Sequence, residues 1–164
     1  MRSTAFEERL AAARLKERFA LGKNKRESEV RNEEGIMEKN GKEPFVFPFE
    51  KLEVWELAVD LADLIFSLLE SFPPNKHLRI ISQMEAAVAG ISQNIAEGKG
   101  CQYKKEFIQF LYISEGCLFE TLTLTEIMRR RKLISDADAT EIKERSEVID
   151  RKLHGLINSL RGRN

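Results

Sequence analysis

The sequence predicts an all-α protein whose main domain is an antiparallel, up-and-down four-helix bundle. Three observations support this fold class. Apolar residues recur every three or four positions through four segments of about 20 residues or more, short turn sequences such as FPPN separate these segments, and no segment shows the sustained alternation of a β-strand. Because short connections place consecutive helices side by side in opposite directions, a bundle is the economical packing.

The first helix is predicted from Leu52 to Phe72, where the FPPN sequence ends it. Trp55 and Ile65 lie on the face that the spacing assigns to the core. Further apolar residues lie outside that face and predict a second buried surface, as in an oligomer: Val54, Leu57, Val59, Leu64 and Phe66.

The second helix is predicted from Leu78 into the sequence NIAEGKG, residues 94–100. Glycines that cradle a phosphate follow a strand and precede a helix, whereas these glycines follow a helix. The stretch is therefore interpreted as a helix end and not as a phosphate-binding loop. Gly98 or Gly100 is expected to adopt the left-handed conformation that closes many helices.

The third helix is predicted to start near Tyr103 and to run to about Lys132, and the fourth follows the sequence SDAD. Ser135 is expected to cap the fourth helix. Asp138, three residues later, would lie near the positive end of the helix dipole.

Residues 1–44 are predicted to form an extension separate from the bundle, which occupies residues 45–164. The extension offers a short helix in residues 4–21, followed by a linker with few apolar residues and many charges. Its composition is that of a solvated tail. The alternative is an element that a partner protein binds.

Composition and charge exclude several classes of protein. Lys and Arg number 27, as do Asp and Glu, so any attraction to nucleic acid must come from a local patch. No uncharged apolar run reaches the roughly 18 residues that a membrane span needs, and the N-terminus lacks the apolar stretch of a secretory signal. With two cysteines and no metal-binding Cys/His spacing, a cytoplasmic protein is expected.

No catalytic or cofactor site is predicted. A di-iron bundle requires Glu-x-x-His pairs, but Pro74 and Arg151 stand three residues before the two histidines, His77 and His154. Cys117 is interpreted as a small core residue and not as a nucleophile. The sequence thus predicts a protein that is not an enzyme, with no metal ion and no cofactor.

Four polar residues are predicted to form a structural network between the second and third helices: Gln83, Asn94, Glu97 and Glu120. Asn94 and Glu97 lie three residues apart, and Gln83 lies about three turns earlier on nearly the same side. The antiparallel third helix carries Glu120 past them. Because buried polar groups must be hydrogen-bonded, such a network would fix the register of the two helices.

Three stretches carry a resemblance to a known family: LEVWELAVDLADLIFSLLESFP, QMEAAVAGISQNIAEG and EFIQFLYISEGCLFE. They resemble the four-helix bundle proteins encoded in intervening sequences of bacterial 23S ribosomal RNA, a family similar to the accessory variability determinant of diversity-generating retroelements. The resemblance covers about residues 47–160. It implies a cytoplasmic bundle without known catalysis, commonly a ring-shaped homopentamer. In the retroelement relatives it implies binding to nucleic acid and to a reverse transcriptase.

The chain departs from the family pattern at three positions that concern nucleic-acid binding. Glu85 and Ala86 stand where the family usually has two arginines, and Cys101 stands where it often has another. The loss of these three cations predicts a weak affinity for generic duplex.

Two clusters of basic residues are candidates for nucleic-acid binding. One lies in the turn between the second and third helices and includes an aromatic ring that can stack on a base: Lys99, Tyr103, Lys104 and Lys105. The other closes the third helix, where cations also favour the negative end of the helix dipole: Arg129, Arg130, Arg131 and Lys132. Antiparallel packing separates the clusters within one bundle, so a basic rim requires repetition around a ring.

Two functions follow as alternatives. The first is an oligomeric, non-enzymatic accessory protein that binds structured RNA or an RNA–DNA hybrid, in a ribonucleoprotein or beside a reverse transcriptase. The second is an oligomeric scaffold that presents residues 1–44 to a protein partner and binds no nucleic acid. Salt dependence separates them, because phosphate binding weakens steeply as salt rises.

Overall fold

Four helices make up the part of the chain that the computed structural model describes, residues 44–73 and 75–162. They are α1, Glu53–Leu69; α2, Leu78–Gly100; α3, Lys104–Arg130; and α4, Asp136–Arg161. No strand occurs in these two ranges, which confirms the all-α prediction. The predicted short helix and linker of the extension lie outside the described residues.

Consecutive helices are antiparallel, and each helix packs against two neighbours. α1 packs against α2 and α4, and α3 packs against the other sides of the same two helices. An ion pair joins the last helix to the first, with Nζ of Lys152 at 2.6 Å from Oε2 of Glu53. We call the end with residues 100–104 and the start of α1 the proximal end, and the end with residues 70–77 and 131–135 the distal end.

The core lies along the axis of the bundle and is built from the apolar stripe of each helix. Its fully buried large side chains come from all four helices: Leu61, Ile65, Met84, Ile91, Ile95, Leu111, Leu118, Met128, Ile142, Ile149, Leu153 and Ile157. Burial of these side chains supplies the main stabilising free energy of the bundle. None of the described helices is long and apolar enough to cross a membrane.

Two glycines let α2 approach α3 closely. A Cβ atom on Gly98 would lie 2.5 Å from Cβ of Phe110, and one on Gly90 would lie 2.9 Å from Sγ of Cys117. At Gly98 this distance leaves no room for a methyl group, whereas at Gly90 the Cys117 side chain would have to shift to admit one. The two contacts also fix the antiparallel register, because each links a position on α2 to a specific position on α3.

The prediction that Gly98 or Gly100 closes α2 in a left-handed conformation is wrong. Both glycines lie inside α2 with right-handed helical backbone, and Cys101 after them is extended with φ −68°. Non-glycine residues with left-handed φ lie instead in the distal turns: Asn75, His77 and Lys132. Gly98 is needed for packing and not for a turn.

The start of α4 agrees with the sequence prediction. Oγ of Ser135 accepts a hydrogen bond from the Asp138 amide at 3.1 Å, and Oδ2 of Asp138 accepts one from the Ser135 amide at 3.0 Å. This reciprocal arrangement is a capping box, and it satisfies two backbone donors that the helix start would otherwise leave unpaired.

Candidate nucleic-acid interface

The proximal basic cluster, defined as Lys99, Tyr103, Lys104 and Lys105, surrounds the turn between α2 and α3. Nζ of Lys99 lies 5.7 Å from the ring centroid of Phe107, a cation–π contact that holds this lysine against the bundle. The Tyr103 ring is 62% exposed. Lys104 and Lys105 are exposed in the first turn of α3, where the positive end of the helix dipole opposes cations. The helix dipole therefore does not explain these two lysines.

Two arginines at the end of α3 are engaged by carboxylates. Arg129 donates to both oxygens of Glu126 through Nε at 2.8 Å and Nη2 at 2.9 Å, and its Nη1 lies 3.0 Å from Oδ1 of Asp136. Arg130 Nε donates to Oε1 of Glu126 at 2.7 Å. The hydrogen bonds from Arg129, then those from Arg130, lower the pKa of Glu126 to about 2. These arginines are thus partly neutralised within the chain.

The distal basic cluster consists of Arg131 and Lys132 together with two residues that the sequence analysis did not select, Lys76 and Arg79. The register of α2 against α3 brings the first turn of α2 beside the last turn of α3, at the distal end. All four side chains are exposed, and none forms an ion pair with any residue of the described ranges. The first turn of α2 also contains no acidic residue.

The predicted polar network is not buried within the chain. Gln83, Glu97 and Glu120 are exposed, because each lies on the outward side of its helix. Only Asn94 is half-buried; its Nδ2 donates to the Gly90 carbonyl oxygen at 2.6 Å and contacts Sγ of Cys117 at 3.7 Å. A buried hydrogen bond does join α2 to α3, but it comes from Ser114, which the predicted network did not include. Oγ of Ser114 donates to the Ile91 carbonyl oxygen at 2.9 Å.

Neither cysteine has the surroundings of an activated thiolate. The pKa of Cys117 is raised, first by burial and then by the nearby charge of Glu120. The pKa of Cys101 is also raised, by desolvation and then by Glu106 and Glu97. Because the thiolate is the nucleophilic form, both groups are poorly reactive at neutral pH.

A third cluster, which the sequence analysis did not anticipate, lies between α3 and α4. Nε2 of His154 lies 2.8 Å from Oε1 of Glu115 and 3.9 Å from Oδ1 of Asp150. The search for Glu-x-x-His pairs missed it because its two residues on α4 stand four apart and its third residue lies on another helix. The spacing of Asp150 and His154, which places both on one helix face, was the available signal.

An exposed apolar face runs along α3. Its large side chains are 40–52% exposed: Tyr112, Ile113, Phe119 and Ile127. Gly116 lies among them, and a Cβ atom there would have no neighbour within 4 Å. The apolar surplus predicted for α1 is mostly covered instead, because Val54 and Leu64 are buried and Phe66 alone of the five is exposed.

Comparison with protein families assigns the bundle to a known family. The family described as 23S rRNA-intervening sequence protein matches residues 50–155. The chain belongs to this family. The resemblance that the sequence predicted is thereby confirmed, whereas its extension to the accessory variability determinant of retroelements stays a prediction.

A solved structure supports the fold of this family member. It is a protein of unknown function from the S23 ribosomal protein family of Bacteroides thetaiotaomicron, with a TM-score of 0.60 and 24% sequence identity. The match covers 63% of this chain and 97% of that chain. No curated protein matches this chain.

Proposed function

We propose that the chain is an oligomeric, non-enzymatic accessory protein that binds structured RNA through the distal basic cluster. The observation that carries the proposal is that four exposed cations without an ion pair among the described residues lie at the distal end: Lys76, Arg79, Arg131 and Lys132. Membership of a family described by its link to 23S rRNA makes RNA the favoured polyanion.

The chemistry of the distal cluster suits phosphate groups. Lysine and arginine bind RNA phosphates and release counterions, and this term supplies most sequence-independent affinity. Arg129 and Arg130 contribute less, since Glu126 and Asp136 already bind them. Four cations on one chain give weak binding, so a ring that repeats the distal end would strengthen it.

A comparison of matched variants tests where RNA binds. Lys76, Arg79, Arg131 and Lys132 changed together to Gln should reduce affinity for a structured RNA at low salt by about tenfold or more, while helical content is retained. The control changes the three lysines of the proximal basic cluster to Gln. Equal affinity of the distal variant and the unmodified chain, or loss only in the proximal control, would reject the distal end as the interface.

The exposed apolar face of α3 favours self-association, which the RNA-binding function and the scaffold function both require. Several large apolar side chains exposed on one helix face can mark an interaction site, and Gly116 leaves space there for a close neighbour. We infer that this face mediates self-association, with the pentamer implied by the family resemblance as the expected size. The scaffold alternative requires no RNA and would present residues 1–44 to a protein partner, whereas a reverse transcriptase is a proposed partner of the RNA-binding function.

Light scattering at micromolar concentration tests this assembly. The unmodified chain should form a closed oligomer, and Phe119→Lys should dissociate it by placing a charge in the apolar face. Glu147→Lys, an exposed change on α4, is the control and should leave the oligomer intact. A monomer in the unmodified chain would contradict the assembly proposal, and an oligomer that survives Phe119→Lys would place the interface elsewhere.

A further inference from the structure

Three side chains with metal-binding donor atoms meet between α3 and α4. Glu115 approaches from α3, and Asp150 and His154 approach from successive turns of α4. Their ligand atoms all lie within 4.8 Å of one another. The Glu115 side chain is 14% exposed and that of His154 is 51% exposed, so the cluster is shielded on the side of α3 and open to solvent through the imidazole.

One atom of this cluster has no partner. Oδ1 of Asp150 is buried and accepts no hydrogen bond from the described residues. Nε2 of His154 lies 3.9 Å away, which is too long for a hydrogen bond. A buried acceptor without a donor is unfavourable in a folded protein, and a cation in the cluster would satisfy it.

We propose that Glu115, Asp150 and His154 form a binding site for a first-row divalent transition-metal ion such as Zn²⁺. An imidazole nitrogen with two carboxylate oxygens is a donor set that suits such ions, whereas Mg²⁺ and Ca²⁺ prefer oxygen ligands alone. The three protein ligands leave at least one coordination position for water.

One of the two distances from His154 fits this assignment. Two donors that are each about 2.1 Å from one metal ion are separated by about 3.0–3.5 Å. The Glu115–His154 separation of 2.8 Å is near this range, whereas Oδ1 of Asp150, 3.9 Å from Nε2 of His154, would have to move closer, since the three ligand atoms spread over up to 4.8 Å. Nε2 of His154 must carry no proton when it binds the ion.

The bound ion would join α3 to α4. Its ligands come from both helices, and an ion that binds the folded chain only raises stability in proportion to the logarithm of its concentration. The site lies along the side of the bundle, away from the distal basic cluster. The proposal is therefore independent of RNA binding.

Titration with Zn²⁺ and Co²⁺ tests the site, on the untagged full chain after treatment with a chelator. Zn²⁺ should raise the thermal midpoint, and Co²⁺ should produce a visible d–d absorption band that saturates at one ion per chain. Asp150→Asn and His154→Gln should each weaken Co²⁺ binding by roughly 10- to 100-fold or more. Loss of a group that only hydrogen-bonds to a metal ligand already has an effect of this size, and these two residues are proposed ligands. His77→Gln, which changes the other histidine, is the control and should bind like the unmodified chain.

The metal-free stability of Asp150→Asn separates a metal site from a merely structural cluster. Asparagine keeps the shape of the side chain, which is 35% exposed, and removes its negative charge beside Glu115, so this variant should be as stable as the unmodified chain without metal, or more stable. Absence of a Zn²⁺-dependent rise in the thermal midpoint would overturn the proposal. Unchanged Co²⁺ affinity in Asp150→Asn and His154→Gln would also overturn it, as would an intense thiolate-to-cobalt band that assigns the ion to Cys101 or Cys117.

Discussion

At the scale of single residues, the arginines at the distal end differ in whether carboxylates bind them. Arg129 is held by Glu126 and Asp136, and these contacts stabilise the turn between α3 and α4. Arg131, two residues later, is exposed and has no ion pair among the described residues. Neighbouring arginines in one RRRK sequence therefore have different roles, which the sequence analysis treated as one.

Glu126 should make a contribution to stability that acid removes. Its pKa in the folded chain is about 2, below the usual 4.5, so the folded state binds fewer protons than the unfolded state between these values. The contribution is complete above about pH 4.5 and is lost as the pH falls toward 2. Thermal unfolding should therefore show a smaller acid-induced loss in Glu126→Gln than in the unmodified chain.

The control for this measurement is Glu147→Gln, which removes an exposed carboxylate on α4. It should lose stability with acid as the unmodified chain does. Parallel acid profiles for Glu126→Gln and the unmodified chain would show that the ion pairs with Arg129 and Arg130 add nothing to stability.

Gly98→Ala should destabilise the bundle. The added methyl carbon would lie 2.5 Å from Phe110 and 2.8 Å from Phe107, and overpacking of this kind costs about 1–3 kcal/mol. Gly155→Ala is the matched control on α4, where the new atom would have no neighbour within 4 Å. There alanine should be neutral or stabilising by up to about 1 kcal/mol, through its higher helix propensity. Chemical denaturation measures both, and equal stability of the two variants would refute the close approach.

At the scale of elements, the local sequence predicts the helices but does not predict the contacts between them. Apolar spacing predicts all four helices, with bounds that differ from the structure by three residues or fewer at α1 and α3. The role of Gly98 was misassigned because a glycine near a helix end fits both a cap and a close contact. Only the position of Phe110 on the facing helix distinguishes the two.

Ser135→Ala should weaken the start of α4. The change removes the acceptor for the Asp138 amide and breaks the capping box, which costs about 0.5–2 kcal/mol. Ser135→Asp should retain most of this stability, since its carboxylate can accept the same hydrogen bond. Urea unfolding compares the three chains, and a Ser135→Ala midpoint equal to that of the unmodified chain would contradict the role of the cap.

At the scale of the whole molecule, candidate sites arise from residues that are distant in sequence. Lys76 and Arg131 stand 55 positions apart and lie at the same end of the bundle only because α2 and α3 are antiparallel. Glu115 and His154 likewise come from different helices. Local motifs could select Arg131 and Lys132, but they could not select the partners that the bundle supplies. Local motifs also could not show that Gln83, Glu97 and Glu120 are exposed in the chain, since exposure depends on how the helices are rotated about their axes.

The salt dependence of RNA binding tests the central claim most directly. The logarithm of the binding constant should fall linearly with the logarithm of salt concentration, with a slope of roughly 0.7–0.9 for each phosphate contact. Replacement of Lys76, Arg79, Arg131 and Lys132 by Gln should reduce this slope by roughly 3 for each chain that contacts the RNA, while the proximal variant keeps the original slope. Absence of binding at low salt in the unmodified chain, or an unchanged slope in the distal variant, would contradict the account.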